Sequence, residues 1–417
     1  MKNKAFPEAN LPPQVQEKAD RMNLDEASVP PYSILPLPFD TGTSAAEKRA
    51  AVTRTLEQFS KELYGEIPPR CEKLEFVERT SGTAFNGLAD RKEIDIICSG
   101  NGITRTLHLL LYLPAARTGK VPCFVGMNFT GNVDTTDDPG VTFHPFHRYS
   151  DPSPWLNDNR SDGSRRGFKA GRWEFEKVLK AGFGTATLCL FDAFPDHPDG
   201  FAESIMPMFY SEEEWNSPGR KSGAISAWAW GLMRAVDALE SLPEIDRNKI
   251  IVHGLSRLGK TAIWAGANDP RIAMTVSICS GTCGAKLSRR YFGESMEWLD
   301  NWRKYWFVPG FENFVRHDTE MPFDQHQLMA LIAPRLLYVA SATNDDYADP
   351  VGEYLATTLA SEVWGKDGIP ANSPFPAPDS GIGEDAVRYF LRSGEHNFTL
   401  KNWEDLLDFA RKHFLSK

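Results

Sequence analysis

Residues 249–271 read KIIVHGLSRLGKTAIWAGANDPR. An apolar β-type run, Ile250-Ile251-Val252, ends in Gly254-Leu255-Ser256-Arg257-Leu258-Gly259. A helical pattern begins at once, with Ala262, Ile263, Trp264 and Ala267 at core-facing spacing. The stretch therefore reads as strand, sharp turn and helix, with Ser256 at the apex. Strand and helix backbones nearly touch at such a turn, which is why glycines flank the serine. The spacing is G-x-S-x-x-G, one residue wider after the serine than the usual nucleophile elbow, G-x-S-x-G. A buried strand followed by a helix also occurs in any doubly wound sheet, so the pattern alone leaves a structural serine open.

Outward from this turn, strands alternate with helices. Upstream lie a helical pattern over 172–181, a buried strand over 184–192 and a helix over 224–242 with Trp228, Leu232, Ala235, Val236 and Leu239 on one face. Downstream lie strands at 272–279, 334–341 and 386–392 and helices at 351–364 and 403–414. Four strand-like runs without helices, at 74–78, 93–98, 105–113 and 121–127, precede all of this and suggest an antiparallel start to the sheet. The expected fold is α/β, an α/β-hydrolase three-layer sandwich. Its central sheet is mostly parallel, with antiparallel N-terminal strands and helices on both faces. Residues 1–44, rich in proline and polar side chains, read as a surface strap. Residues 45–417 then form a single catalytic domain with loop insertions at about 130–171, 194–216 and 280–320, and loops this long tend to be functional or mobile.

The chain has 417 residues, a net charge of −10 and no basic run of the kind that tracks a phosphate backbone. Nucleic acid is not an expected partner. The six cysteines, Cys71, Cys98, Cys123, Cys189, Cys279 and Cys283, form no C-x-x-C pair and read as buried free thiols, with Cys279–Cys283 the one pair a loop would allow to bridge. No metal is expected at His144 and His147, which lack a third ligand. The first residues lack the apolar core of a signal peptide and no run is long enough to span a membrane, so the expected location is cytoplasmic, or that of a trimmed secreted or periplasmic protein.

A serine hydroxyl needs a positioned base, and the base needs an acid that fixes its tautomer. In α/β-hydrolases the chain order is serine, acid, histidine. Asp345, in the loop after the 334–341 strand, and His396, in the loop after the last strand, supply that order. Asp346 and Asp349 compete with Asp345 for the acid. His253 reads as a packed strand residue and His326 as a structural hydrogen-bonding residue.

At GLSRLGK, residues 254–260, the chain resembles the glucuronoyl esterases, the fifteenth carbohydrate esterase family, whose elbow reads G-[CH]-S-R-x-G-K. The displaced glycine is that family's hallmark, and Leu255 is a mild variant. The likeness spans roughly Val121 to the C-terminus and includes FVGMNFTGN from Phe124, AWAWGLMRAVDALE from Ala227, SGTCGAKLSRRYFGE from Ser280, DQHQLMALIAPR from Asp324 and ASATNDDYADP from Ala340. The resemblance implies Ser256 as nucleophile, His396 as general base and Arg257 as oxyanion stabiliser. It implies Lys260 and Glu294 as contacts to hydroxyls of the uronic sugar. Tyr347 falls where many bacterial relatives carry a sugar-contacting tryptophan. Many members place the triad acid as a glutamate where this chain has Cys279, so here the acid is expected from the later loop, at Asp345.

The reaction so implied is hydrolysis of a glucuronoyl or 4-O-methyl-glucuronoyl ester of the xylan–lignin type, through an acyl-enzyme. It uses no cofactor and no metal, its partner is the carbohydrate ester, no membrane is involved, and the chain is read as a monomer. An acetylxylan or other carbohydrate esterase on the same scaffold is the alternative, and a non-catalytic carbohydrate-binding relative is a further one. Trp155, Trp173, Arg289, Arg290 and Trp298 would rim the site, where they either hold sugar or simply pack.

Overall fold

A computed structural model describes residues 22–146 and 163–415. Among these described residues ten strands form one sheet: β1 Lys73–Ala84, β2 Ala89–Gly100, β3 Ile103–Pro114, β4 Val121–Asn128, β5 Gly184–Cys189, β6 Ile245–Leu255, β7 Ile272–Ile278, β8 Leu336–Ala342, β9 Ser380–Ile382 and β10 Val387–Arg392. Their spatial order is β1-β2-β3-β5-β4-β6-β7-β8-β10-β9. Apart from single-turn helices, the α-helices are α1 Ala45–Phe59, α2 Phe175–Lys180, α3 Ala224–Ser241, α4 Arg257–Asn268, α5 Met296–Arg303, α6 Gln325–Ala330, α7 Pro350–Ser361 and α8 Leu400–Phe414.

The expected antiparallel start covers three strands, not four. β1, β2 and β3 pair antiparallel, but β4 pairs parallel with both β5 and β6. The chain leaving β3 passes over the place later filled by β5, a crossover that strand-like patterning does not encode. From β5 to β10 the sheet is parallel, and the short β9 closes it antiparallel.

Period-two alternation sends successive side chains into two different cores. Val125, Ile250, Val252, Leu337 and Val339 face the core shared with α3 and α4, while Phe124, Ile251, Val276, Tyr338 and Ala340 face the core shared with α8. Both faces of the parallel strands are thus covered, as such sheets require. In α3 every residue from Ala224 to Leu239 except Met233 is buried, not one face alone. The 194–216 insertion lies over its outer side, where Phe194 O accepts the indole N–H of Trp228 at 2.8 Å.

The edge strand β1 is largely exposed, and its register slips between Glu78 and Thr80. The described part of the N-terminal segment runs across the 286–294 loop and α6. Gly293 N donates to Asn23 O at 2.8 Å, Arg289 Nε to Ser33 O at 3.1 Å and Gln327 Nε2 to Pro36 O at 2.6 Å. His326 Nε2 lies 2.8 Å from Leu35 O, the structural bond expected of it. All six cysteines are buried and free, so Cys279 and Cys283 do not bridge.

Candidate active site

The turn between β6 and α4 explains both glycines of the elbow. A Cβ on Gly254 would lie 2.0 Å from Leu258 O, inside the turn itself. A Cβ on Gly259 would lie 2.9 Å from Ser277 Oγ and from Ser280 Cβ, so this second glycine marks where the helix meets the end of β7. The close approach falls at residue 259, not 258, and the displaced spacing follows from it. Ser256 itself has φ +61° and ψ −129°, a strained backbone held by its N–H donating to Ile278 O at 2.9 Å.

One strand over, Cys279 N donates to Ala340 O at 2.7 Å, which joins the ends of β7 and β8. The loop after β8 then presents Asp345, and the loop after β10 presents His396. Those loops are tied to each other: Asn344 N donates to Gly394 O and Gly394 N to Thr343 Oγ1, each at 3.0 Å. His396 Nδ1 lies 2.6 Å from Asp345 Oδ2, a short bond in which Nδ1–H donates to a carboxylate that is almost wholly buried. The imidazole is more than a third exposed. Asp349 is engaged elsewhere: it caps α7 by accepting Gly352 N at 2.9 Å and accepts Arg290 Nε at 2.9 Å.

Arg257 is buried, its guanidinium 4.9 Å from the ring centre of Trp306 and 5.6 Å from that of Phe129. Its Nη1 is ion-paired with Asp196, which also accepts Tyr305 Oη–H at 2.7 Å and Trp306 Nε1–H at 2.8 Å. Asp196 lies in the 194–216 insertion, where nothing in the local sequence sets it apart from a solvated loop acid. Its only advance signal is indirect, since a buried arginine beside the elbow demands a carboxylate from somewhere.

Lys260, Glu294 and Tyr347 form one network. Lys260 Nζ donates to Ser280 O at 2.6 Å and to Glu294 Oε2 at 2.9 Å, and Tyr347 Oη–H donates to Glu294 Oε1 at 2.8 Å. The Trp298 indole N–H donates in turn to Tyr347 Oη. Lys260 and Glu294 are only 2% and 4% exposed. Burial and the Glu294 carboxylate hold the Tyr347 phenol above its ordinary pKa, so it stays a donor.

Of the other residues singled out above, Trp173 packs on Phe175 and His253, Arg289 bonds Ser33 and the Met321 carbonyl, and Arg290 bridges Glu26 and Asp349. These three pack and tie the molecule together. Trp155 and His147 lie outside the described residues. His144 stacks on His108 at 3.6 Å. His253 is enclosed by Phe124, Trp173, Phe398 and Trp403, and burial pulls its pKa down to about 3, so it is a neutral core residue. Nothing in the sequence singles out Glu353, on α7. It is fully buried and accepts Ser280 N at 2.7 Å, Gly281 N at 2.9 Å and Ser341 Oγ–H at 2.5 Å. Burial lifts its pKa to about 7.

Residues 213–368 match the family model described as glucuronyl esterase, fungi. The chain is 35% identical over 413 residues to a carbohydrate esterase named MZ0003, from an unknown prokaryotic organism; the match covers 96% of this chain and 94% of that one. Among solved structures, a glucuronoyl esterase from Solibacter usitatus is 38% identical with a TM-score of 0.83, covering 93% of this chain and 99% of its own. A structure described as a promiscuous CE15 esterase from the marine bacterial metagenome is 35% identical with a TM-score of 0.84, covering 94% of this chain and 100% of its own.

Proposed function

The chain belongs to the glucuronoyl esterase family, carbohydrate esterase family 15, and from that premise we propose that it hydrolyses glucuronoyl or 4-O-methyl-glucuronoyl esters with Ser256 as nucleophile. The observation that supports this most is the 2.6 Å contact between His396 Nδ1 and Asp345 Oδ2, at the same sheet edge as the elbow serine. With Nδ1–H bound to the acid, Nε2 carries the lone pair and takes the proton of Ser256 Oγ as the oxygen attacks the ester carbonyl. Negative charge develops on the carbonyl oxygen, and the Arg257 guanidinium stabilises it there. The imidazolium returns its proton to the leaving alcohol, the C–O bond breaks, and the acyl-enzyme is released by a water that His396 deprotonates in turn.

Lys260 has three ammonium donors, two of which are used within the protein, so one remains for a sugar hydroxyl. Glu294, already fixed by Lys260 and Tyr347, accepts a second. The acid comes from the β8 loop, with Cys279 standing where many members have glutamate. Among the described residues no helix is long and apolar enough to cross a membrane. In this reading the chain acts as a monomer on a carbohydrate ester.

The test is hydrolysis of benzyl glucuronate beside p-nitrophenyl acetate by the wild type, Ser256→Ala and Asp345→Asn. Glucuronate turnover is expected to fall by about 10⁴ or more in kcat for each variant, the asparagine because it leaves the wrong imidazole tautomer. Acetate cleavage without glucuronate cleavage would shift the reading to an acetyl or other carbohydrate esterase. Full activity in Asp345→Asn would remove Asp345 from the triad.

A further inference from the structure

Three donor atoms of different chemistry converge beside the elbow. Cys279 Sγ, a carboxylate oxygen of Asp345 and a ring nitrogen of His396 all lie within 4.8 Å of one another, and among the described residues no other three His, Cys, Asp or Glu side chains do so. The proposed reaction uses the acid and the imidazole and leaves the thiol idle. We propose that this cluster is a trap for a thiophilic divalent cation, Zn²⁺ or Cd²⁺, and that the bound cation inhibits the enzyme by taking the imidazole nitrogen that faces the acid.

The donor set argues for the ion. Thiolate, imidazole and carboxylate together favour borderline-soft cations over Mg²⁺ or Ca²⁺, which prefer oxygen alone. Three protein ligands leave a fourth tetrahedral position for water. The Nδ1–Oδ2 separation of 2.6 Å needs to widen to roughly 3 Å for both atoms to ligate one ion at bond lengths near 2 Å. A small rotation of His396 supplies this, and its exposed ring is also the way in, since Cys279 and Asp345 are only 1% and 3% exposed. The Asp345 carboxylate makes the surroundings of the thiol negative, and Arg392 partly offsets it. The thiol ligates as the thiolate, so binding of the cation releases its proton to solvent.

Inhibition follows from the tautomer. A neutral imidazole carries one N–H. In the triad it sits on Nδ1, and Nε2 is free to accept the serine proton. A cation on Nδ1 forces the hydrogen onto Nε2, and the base is lost although no catalytic group has been removed. A glutamate at position 279 would offer only oxygen, so the sensitivity belongs to the cysteine.

The inhibition half rests on the esterase reading, whereas the binding half does not. Cd²⁺ is titrated into the wild type, Cys279→Ala and Cys279→Ser, following the thiolate-to-metal charge-transfer absorbance. In parallel, Zn²⁺ inhibition of benzyl glucuronate hydrolysis is measured before and after EDTA, with Mg²⁺ as control. The expected result is a band for one equivalent of Cd²⁺ that both variants lack. Zn²⁺ inhibition should be reversed by EDTA, and its half-point raised by about tenfold or more in both variants, whose metal-free activity persists. A band without any wild-type turnover would keep the trap and sink the esterase reading. Identical titrations in wild type and variants, or a wild type as indifferent to Zn²⁺ as to Mg²⁺, would overturn the trap.

Discussion

At the scale of single residues, Arg257 is aimed by groups far from it in sequence. Asp196 holds its Nη1, and the rings of Trp306 and Phe129 flank its plane. Asparagine at 196 keeps the shape but removes the charge that fixes the guanidinium. Asp196→Asn is expected to lower kcat for benzyl glucuronate by about tenfold, less than deletion of an oxyanion donor itself, with KM changed by less than about twofold. An unaltered kcat with a lowered melting temperature would assign Asp196 to packing alone. The contrast with Asp345 shows what a sequence reveals at this scale. Asp345 and His396 each follow a strand in the order the proposed triad requires, so position alone brings them forward. Asp196 and Glu353 are defined by contacts across the fold, and in sequence each looks like one more acid in a loop or on a helix.

Among the elements, the β6–α4 turn was the most legible, because its chemistry is local. Its two glycines serve different contacts, and substitution should separate them. Gly254→Ala drives a Cβ into the Leu258 carbonyl at 2.0 Å, which only backbone movement relieves, whereas Gly259→Ala makes a much looser clash, 2.9 Å from Ser277 Oγ and Ser280 Cβ and 3.1 Å from Gly254 O. Urea unfolding should show a loss of roughly 2–3 kcal/mol or more for Gly254→Ala and about 1 kcal/mol for Gly259→Ala. Equal losses would mean the turn relaxes around either methyl. β4 was the element least well read. Its apolar run marks a strand, but whether neighbours run parallel or antiparallel depends on where the connection goes, and β5 arrives between β3 and β4 only some sixty residues later in the chain. Trp173 reads in sequence as either holding sugar or packing, and the fold packs it on nearby Phe175 and on His253, which is remote in sequence.

For the whole molecule, stability should carry the mark of Glu353. Its folded pKa of about 7 stands above the ordinary 4.5, so the folded state keeps a proton that the unfolded chain releases. Its contribution is therefore fully present below about pH 4.5 and is lost as pH rises through 7, by at most ~3 kcal/mol. Glu353→Gln keeps the side chain's shape and should flatten this slope in urea midpoints measured between pH 4.5 and 8. A slope unchanged by the substitution would mean Glu353 is ionised throughout. The layered architecture was readable because apolar alternation feeds two cores, and the described N-terminal segment was readable only as polar, proline-rich chain, since many of the bonds that dock it end on its own carbonyls, at Asn23, Ser33, Leu35 and Pro36, whatever the side chain. The outermost strand bears on a different matter, self-association. β1 is twelve residues long and, among the described residues, ends the sheet, so one row of its backbone donors and acceptors faces outward there. Lys73, Glu75, Glu78 and Arg79 set charge of both signs along that strand, and its register slips between Glu78 and Thr80. Parallel pairing is intrinsically slow to form, and charged side chains on an open edge oppose strand-to-strand pairing between half-formed copies.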